Sequence, residues 1–504
     1  MSMIHGIITS ASYILVLTGS AISDNLARLS RVLRVMGFAL PLIDALFNPA
    51  GLLDFQKYFV LLATLVSVAV TLHSEGYYRV IYGKVSYQQS LLNTVLAIVL
   101  TVFNARLLGE FVIGLLLLDL LLILVILMDK GAENYGIAIY YIVLSTIPAD
   151  IAVLTMWATI AQNYGLEASL TTSFSMLALH KTSIHPLVAT LILFGYTIKL
   201  GLFPLHIWLP IVHPEAPKHG SAILSGLIIK IGVFGLLLAS TIFTYPGYMN
   251  YIILAQGAIT ALYGSFAATL QKDIRRLLAY SSLGHAGVIA ILYSFSILYG
   301  DPFISYLLYF YIIYHGIVKA HAFMNAALMD QLANTYDIYK LGYLGQLYPS
   351  LIIPAFNIFM NFAGIPPSYG FVMKLMLLIT IILLVPSLGI IPLLTSIIII
   401  VVAVFSILYS IKIIGCYIGG YRKVVKPPVK VVEEELFSEY YIAFITLILP
   451  IIYIALSMEY MPGYLAITLL LLEAISLLTY AWMLFRKPIY KMGEPKYWLS
   501  GVEQ

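Results

Sequence analysis

Apolar runs long enough to form membrane-crossing helices recur along the whole of this chain, and no other feature restricts its fold as strongly. A bilayer core about 30 Å thick is crossed by roughly 20 residues of α-helix. Runs of this kind fall near 4–22, 32–47, 52–73, 88–104, 107–128, 136–161, 184–210, 221–243, 249–270, 276–299, 303–328, 347–385, 389–418, 440–458 and 463–485, with no soluble domain between them. The stretch 347–385 is too long for one straight helix and reads as two half-helices. The runs are continuously apolar rather than alternating, which disfavours a β-barrel. Charge agrees: 27 Lys+Arg and 23 Asp+Glu make 10% of 504 residues, against about 25% in an average soluble domain. A chain 61% hydrophobic could not dress a soluble surface. The single Cys416 excludes a disulfide scaffold, and scattered charges leave no basic face for nucleic acid. The expected fold class is an all-α polytopic membrane protein of about 14–15 transmembrane helices.

The basic residues test that reading. Loops after odd-numbered runs hold nineteen of them: Arg28, Arg31 and Arg34; Arg79 and Lys84; Lys130; Lys218; Lys272, Arg275 and Arg276; Lys340; Arg422, Lys423, Lys426 and Lys430; and, in the tail, Arg486, Lys487, Lys491 and Lys496. Loops after even-numbered runs hold only Arg106 and Lys181. The positive-inside rule then puts the N-terminus outside and the C-terminus in the cytoplasm of a cell (plasma) membrane protein. No basic n-region or A-x-A site marks a cleaved signal peptide.

Six lysines fall inside the runs: Lys57, Lys199, Lys230, Lys319, Lys374 and Lys412. A charge at a helix centre costs roughly 2.5–3.5 kcal/mol on insertion scales. Lysine is also the basic residue that can exchange its proton when buried, whereas arginine cannot. A lysine-only set therefore points to proton handling. Lys57 lies beside Asp54 near a run end, where it can snorkel, and Lys412 near the cytoplasmic end of its run is a secondary candidate.

Two lysines flank a proline-rich segment, GYTIKLGLFPLHIWLPIVHPEAPKHGSAILSGLIIKIGVFG: Lys199 precedes Pro204, and Lys230 lies in the following run. Proline breaks the helix and frees backbone groups that are tolerated at membrane depth where they line a cavity. His206 and His213 lie in the interrupted stretch as secondary candidates. A second break, NFAGIPPSYGFVMKLML, sets Pro366 and Pro367 before Lys374. Paired interrupted runs are the mark of inverted repeats with midplane sites. The breaks fall in the seventh and twelfth runs, which fits two inverted five-helix repeats. The divisions expected are 1–85 for the N-terminal spans, 86–245 and 246–420 for the repeats, 421–439 for a charged cytoplasmic loop, and 440–504 for the C-terminal spans and tail.

Between the breaks, His315 and Lys319 in YHGIVKAHAFMNAALMD are four residues apart and share a helix face, with His321 off that face. His285 in LLAYSSLGHAGVIAI sits among small and hydroxyl residues that suit close packing and water wires. A buried lysine needs a nearby carboxylate to be charged, so moving or neutralising the acid switches the lysine. Glu110 and Asp150 are the expected partners of Lys199, with Asp119 as the fallback. There is no ligand set for a metal, haem or Fe–S cluster.

At these residues the chain resembles the proton-pumping, antiporter-like membrane subunits shared by respiratory complex I, membrane-bound hydrogenases and multisubunit cation/proton antiporters. The resemblance covers roughly residues 50–420. It rests on KLGLFPLHIWLP…HPEAPKHGSAILSGLIIKIG, KDIRRLLAYSSLGHAG, YHGIVKAHAF and AGIPPSYGFVMKL. It implies that Lys199 is the central lysine of a first half-channel, Lys230 the connecting lysine, His315 with Lys319 the step into the second half-channel, and Lys374 its terminal residue. The family places a glutamate in span five within a phrase like WELLSL; this chain has LGEFVIGLLLLDLLL, with Glu110 displaced by about one turn. The segment around Lys230 is more like the hydrogenase branch, and LAYSSLGHAG more like complex I. The tail ends soon after the last span, without a long lateral helix, and the fifteenth span is expected to dock a neighbour.

The function implied is a proton-translocating subunit of a membrane-bound redox complex. Its partners would be other membrane subunits, a peripheral redox arm and the lipid bilayer, with no nucleic acid. The chain itself carries no cofactor and no redox active site; Fe–S clusters and a NiFe centre would belong to partner subunits. The alternatives are a subunit of a sodium/proton antiporter, with sodium as the second ion, and a secondary transporter of a small solute.

Overall fold

The computed structural model describes residues 2–128, 131–419 and 431–485. Lys130, the basic residues Arg422, Lys423, Lys426 and Lys430, and Arg486, Lys487, Lys491 and Lys496 of the tail lie outside them. The chain is 84% helical. The helices run α1 (Ser2–Ala21), α2 (Ala27–Phe47), α3 (Gln56–Tyr82), α4 (Ser86–Phe103), α5 (Leu108–Leu127) and α6 (Tyr135–Tyr164). Then come α7a (Pro186–Leu200), α7b (Trp208–Glu215), α8 (Lys218–Ile242), α9 (Tyr248–Leu270), α10 (Ile274–Tyr299) and α11 (Pro302–Ala333). Last are α12a (Ile352–Ala363), α12b (Tyr369–Leu383), α13 (Ile390–Ile418), α14 (Glu433–Ser457) and α15 (Gly463–Phe485). Among the described residues, 12 helices are long and apolar enough to cross a membrane. The other spans are α4 and the broken α7, which are apolar but short, and α2, which carries Arg28, Arg31, Arg34 and Asp44.

Two of the spans, α7 and α12, are interrupted. The interruptions share a sequence cause. Helix α7a stops at Gly201 (φ +89°) in Gly-Leu-Phe-Pro, and α12a stops at Gly364 (φ +73°) in Gly-Ile-Pro-Pro. In each, glycine takes a left-handed conformation that a Cβ would strain, and a proline three residues on cannot continue the hydrogen-bond ladder. The freed backbone is satisfied inside the protein, as membrane depth requires. Phe203 N–H donates to Thr260 Oγ1 at 2.9 Å, Gln256 Nε2 donates to Phe203 O at 3.0 Å, and Trp208 Nε1 donates to Ile198 O at 2.9 Å. Two π-helical turns, Ile142–Thr146 in α6 and Leu224–Ile228 in α8, loosen the ladder beside charged groups.

Small residues bring the helices close. A Cβ at Gly232 of α8 would lie 2.5 Å from Leu200 N and 2.7 Å from Tyr196 O, so α7a and α8 touch backbone to side. Helices α9 and α10 meet in the same way at Gly264 and Gly284. Helix α14 packs against α3 and α11, bringing a late span against an early one.

Three boundaries differ from the sequence reading, for one reason. Helix α2 starts at Ala27, α3 extends to Tyr82, and α14 starts at Glu433, inside the stretch 421–439 taken for a loop. Charge had suggested loops at all three places, but the charges pair across helices. Glu75 of α3 accepts from Arg31 (2.9 Å), Arg34 and Arg79 (2.6 Å), and Glu434 accepts from Arg31 and Arg79 (3.2 Å). A paired charge can enter a helix that an unpaired one would end.

Candidate functional site

A row of buried lysines crosses the middle of the bundle, starting on α5 and α7a. Lys199, the last-but-one residue of α7a, is 0% exposed, and its Nζ donates to Asp119 Oδ1 at 2.5 Å. Tyr141, next to the π turn of α6, completes the group: its hydroxyl donates to the same Oδ1 at 3.2 Å, and Lys199 Nζ lies 3.2 Å from the Tyr141 oxygen and 5.2 Å from its ring centre. This is a charge pair with a polarisable, proton-bearing neighbour in a site sealed from water.

The structure therefore corrects the expected partner of Lys199. Glu110 is the third residue of α5 and caps it, accepting from Arg106 N (2.7 Å) and Leu107 N (3.2 Å). It faces His5, whose Nε2 is 3.6 Å away, in a separate cluster where His5 and Arg106 hold Asp44 at 2.6 and 2.8 Å. The physical reason is depth: Glu110 stands in the first turn, whereas Asp119 stands in mid-helix, level with the end of α7a. Asp150 makes no ion pair with Lys199 among the described residues, and its Oδ1 has no hydrogen-bond partner there.

The second station is Lys230, 0% exposed on α8. Its Nζ donates to Ser225 O at 2.7 Å, a carbonyl five residues back within the π turn, and lies 3.0 Å from His315 Nδ1 on α11. No carboxylate pairs with it among the described residues. His315 stacks on His285 of α10, ring centres 5.0 Å apart at 21°. His285 in turn meets two hydroxyls, Tyr311 at 2.8 Å from Nδ1 and Tyr409 at 3.3 Å from Nε2.

Lys319, one turn beyond His315, is 0% exposed and donates to Ser281 Oγ and to Leu278 O (3.3 Å), while its Nζ sits 4.6 Å above the Phe362 ring. Phe362 belongs to the broken helix, and its carbonyl accepts from Lys374 Nζ, which also donates to Ser406 Oγ at 2.6 Å. A cavity of about 300 Å³ lies against Lys374, with His285, Tyr311 and Ser406 among its walls. Thus His315, His285, Lys319 and Lys374 form one connected group, and Lys374 faces its open side.

The secondary candidates separate. His213 is buried between the Trp208 and Phe323 rings, and neither ring nitrogen has a hydrogen-bond partner among the described residues. His206 stacks on Phe203 and meets the Tyr263 ring edge-on in the α7 break, with no contact to the lysines among the described residues. Lys412 donates to Thr269 O (2.5 Å) and Gln271 O (3.1 Å), so it caps the end of α9 rather than joining the row. His321 turns toward α14 and lies 3.3 Å from Glu439.

Sequence reasoning missed Tyr141, Ser281, Ser406 and Tyr409, because hydroxyls in apolar runs carry no pattern of their own. It ranked Asp119 below Glu110 although a count from the run ends would have set Asp119 at the depth of the lysines. Among the described residues no cluster of His, Cys, Asp or Glu could hold a metal ion.

Comparison with known proteins bears on the family and the fold. The family described as NADH:quinone oxidoreductase/Mrp antiporter, transmembrane, matches residues 105–400, which contain every member of the row. Hydrogenase-4 component B of Escherichia coli K12 is 30% identical over 262 residues, 48% of this chain and 37% of that protein. A Na(+)/H(+) antiporter subunit of Alkalihalophilus pseudofirmus is 32% identical over 203 residues, 40% of each chain. The matched part thus spans about two-fifths of these relatives' length. A chain of the membrane-bound sulfane sulfur reductase, an archaeal respiratory membrane complex, superposes with a TM-score of 0.75 over 98% of this chain and 87% of its own, at 22% identity. At that identity the shared property is the fold.

Proposed function

This chain belongs to the NADH:quinone oxidoreductase/Mrp antiporter transmembrane family, and on that footing we propose that its lysine row moves protons for a membrane-bound redox complex. It is an antiporter-like, multi-span membrane subunit that assembles with other membrane subunits. Residues 86–245 supply one half-channel and 246–420 the other, framed by 1–85 and by 440–504. The N-terminus faces outward across a plasma membrane. A peripheral arm on partner subunits, carrying Fe–S clusters and a NiFe centre, supplies the redox energy.

The observation that carries this reading is the sealed Asp119–Lys199–Tyr141 group joined in one bundle to the buried Lys230 and Lys319 and the part-buried Lys374; of these four lysines only Lys199 has a carboxylate partner among the described residues. Whether Lys199 keeps its proton depends on the position and charge of Asp119. A change in that pair alters the field at Lys230, whose proton His315 Nδ1 is placed to take. Stacked His285 and the neighbouring Lys319 extend the path, and Lys374 meets the cavity. Asp150, beside the first pair, is a reserve acid on this path, and Glu110 is a capping residue outside it.

The test is proton translocation per electron in everted vesicles that contain the intact complex. Lys199→Ala and Lys374→Ala should each lower it at least about tenfold, equivalent to some 1.4 kcal/mol in a barrier. Undiminished pumping in both variants would refute the row. A second reading, part of a sodium/proton antiporter, is favoured by the likeness to the Alkalihalophilus protein; it requires that an imposed sodium gradient drive proton movement without any redox substrate.

A further inference from the structure

Four titratable side chains on four different helices meet away from the lysine row. His73 of α3 and His219 of α8 approach at 2.9 Å, Nδ1 to Nε2. The other edge of His73 faces Glu439 of α14, with Nε2 3.7 Å from Oε1. The second oxygen of Glu439 lies 3.3 Å from His321 Nε2 on α11 and accepts from Asn325 Nδ2 at 2.9 Å. Tyr417 donates to Asn325 Oδ1 at 2.9 Å, which fixes the amide so that its nitrogen points at the carboxylate. The four titratable residues are between 0 and 1% exposed.

A purely structural role does not fit this cluster. The structural solution for a buried carboxylate is visible two residues along α3, where Glu75 collects three arginines. Glu439 has no arginine or lysine among the described residues; its neighbours are two imidazoles and an amide. Imidazole gains and loses a proton near neutral pH, and arginine does not. Structural networks are also closed, with each member satisfied. Here His219 Nδ1 and Glu439 Oε1 have no hydrogen-bond partner among the described residues.

The position supplies a direction. His219 adjoins Lys218, which pairs with Asp330 at 2.5 Å where both side chains are partly exposed, 19% and 16%. His321 is two residues from Lys319, roughly 200° round α11 at 100° per residue, so the cluster and the row share α11 on opposite sides. Helices α8 and α11 belong to different repeats, and α3 and α14 belong to neither. The remaining ionisable neighbours are Lys218, Asp330 and Glu435, with the phenols of Tyr77, Tyr78 and Tyr417.

We propose that His219, His73 and Glu439 form a second proton path, separate from the lysine row, that loads a proton from the Lys218–Asp330 edge onto Glu439 at the seam between the repeats. A proton from water binds His219 Nδ1. The proton on its Nε2 passes to His73 Nδ1, and the proton on His73 Nε2 passes to Glu439 Oε1. One proton enters, one is held, and both rings finish in the opposite tautomer. The 3.7 Å link is longer than a hydrogen bond and closes by a turn of the carboxyl or through one bridging water. His321 faces the other oxygen and takes the proton when the carboxyl turns.

This rests on the proton-transport reading above, so the test separates the two. Time-resolved infrared spectra after a pH jump, on the full-length chain in lipid nanodiscs, would follow the carboxyl band that Glu439→Gln removes. His219→Gln touches no atom of Glu439, yet it should slow reprotonation of that band roughly a hundredfold, the scale of a lost relay step. If that variant fails to fold, His73→Gln reads the same path. An unchanged rate in the folded variant, or no Glu439 band that responds to pH, overturns the proposal. Lys199→Ala should leave the rate unchanged while lowering transport by the intact complex at least about tenfold. If transport survives Lys199→Ala but the Glu439 rate still depends on His219, the row fails and the second path stands.

Discussion

The pairing of Lys199 with Asp119 rather than Glu110 makes a quantitative prediction. The two ions approach at 2.5 Å, and their side chains are 0% and 1% exposed. At an effective dielectric constant near 20 their attraction is about 7 kcal/mol, most of it offset by the several kcal/mol that each ion loses on leaving water. The pair is therefore close to neutral for stability, whereas removing one member leaves a buried charge uncompensated and costs about 3–5 kcal/mol. Asp119→Ala alone and Lys199→Met alone should each lower the melting temperature of the purified chain, and the double variant should recover most of the loss. The assay is thermal unfolding followed by tryptophan fluorescence, run as a double-mutant cycle, with a coupling of about 5–9 kcal/mol expected, the two single losses together less the small residual loss of the double variant. Glu110→Gln joined to Lys199→Met should show no coupling, because Glu110 keeps its capping contacts in both backgrounds. Additive losses for Asp119 and Lys199, or coupling found at Glu110 instead, would refute the assignment.

Two further outcomes follow from the packing. Gly232→Ala places a methyl 2.5 Å from Leu200 N and 2.7 Å from Tyr196 O, backbone atoms that cannot turn aside; it should cost about 1–3 kcal/mol of stability, read as lower thermal stability in detergent. Ser406→Leu removes the 2.6 Å partner of Lys374 and fills the adjacent cavity with apolar volume; vesicle assays should find a folded subunit with most of its proton transport lost, and transport at the native rate would show that this cavity is not on the path.

Much of the fold was legible because a bilayer leaves little choice. Backbone groups in hydrocarbon must be satisfied within the chain, so an apolar run of the right length is a helix. The two broken helices were legible for the opposite reason, since Gly-x-x-Pro at Gly201–Pro204 and Gly364–Pro367 forbids a continuous ladder. Element ends were less legible wherever charges pair. Arg31, Arg79 and Glu434 read as loop residues, and only the meeting of α2, α3 and α14 around Glu75 shows why they lie in helices.

Residue order is enough to establish that this chain crosses a membrane many times, that two of its helices are interrupted, and which lysines carry an expense no lipid-facing helix would retain. These are properties of single segments, set by length, polarity and proline. Partnership is a property of pairs, and it emerges only once the bundle is assembled. Asp119 and Lys199 are eighty positions apart, Lys230 and His315 eighty-five, and His73 and Glu439 several hundred. Which acid meets which base depends on helix depth and rotation, fixed by close contacts such as Gly232 on Leu200, and no periodicity within one span reports them.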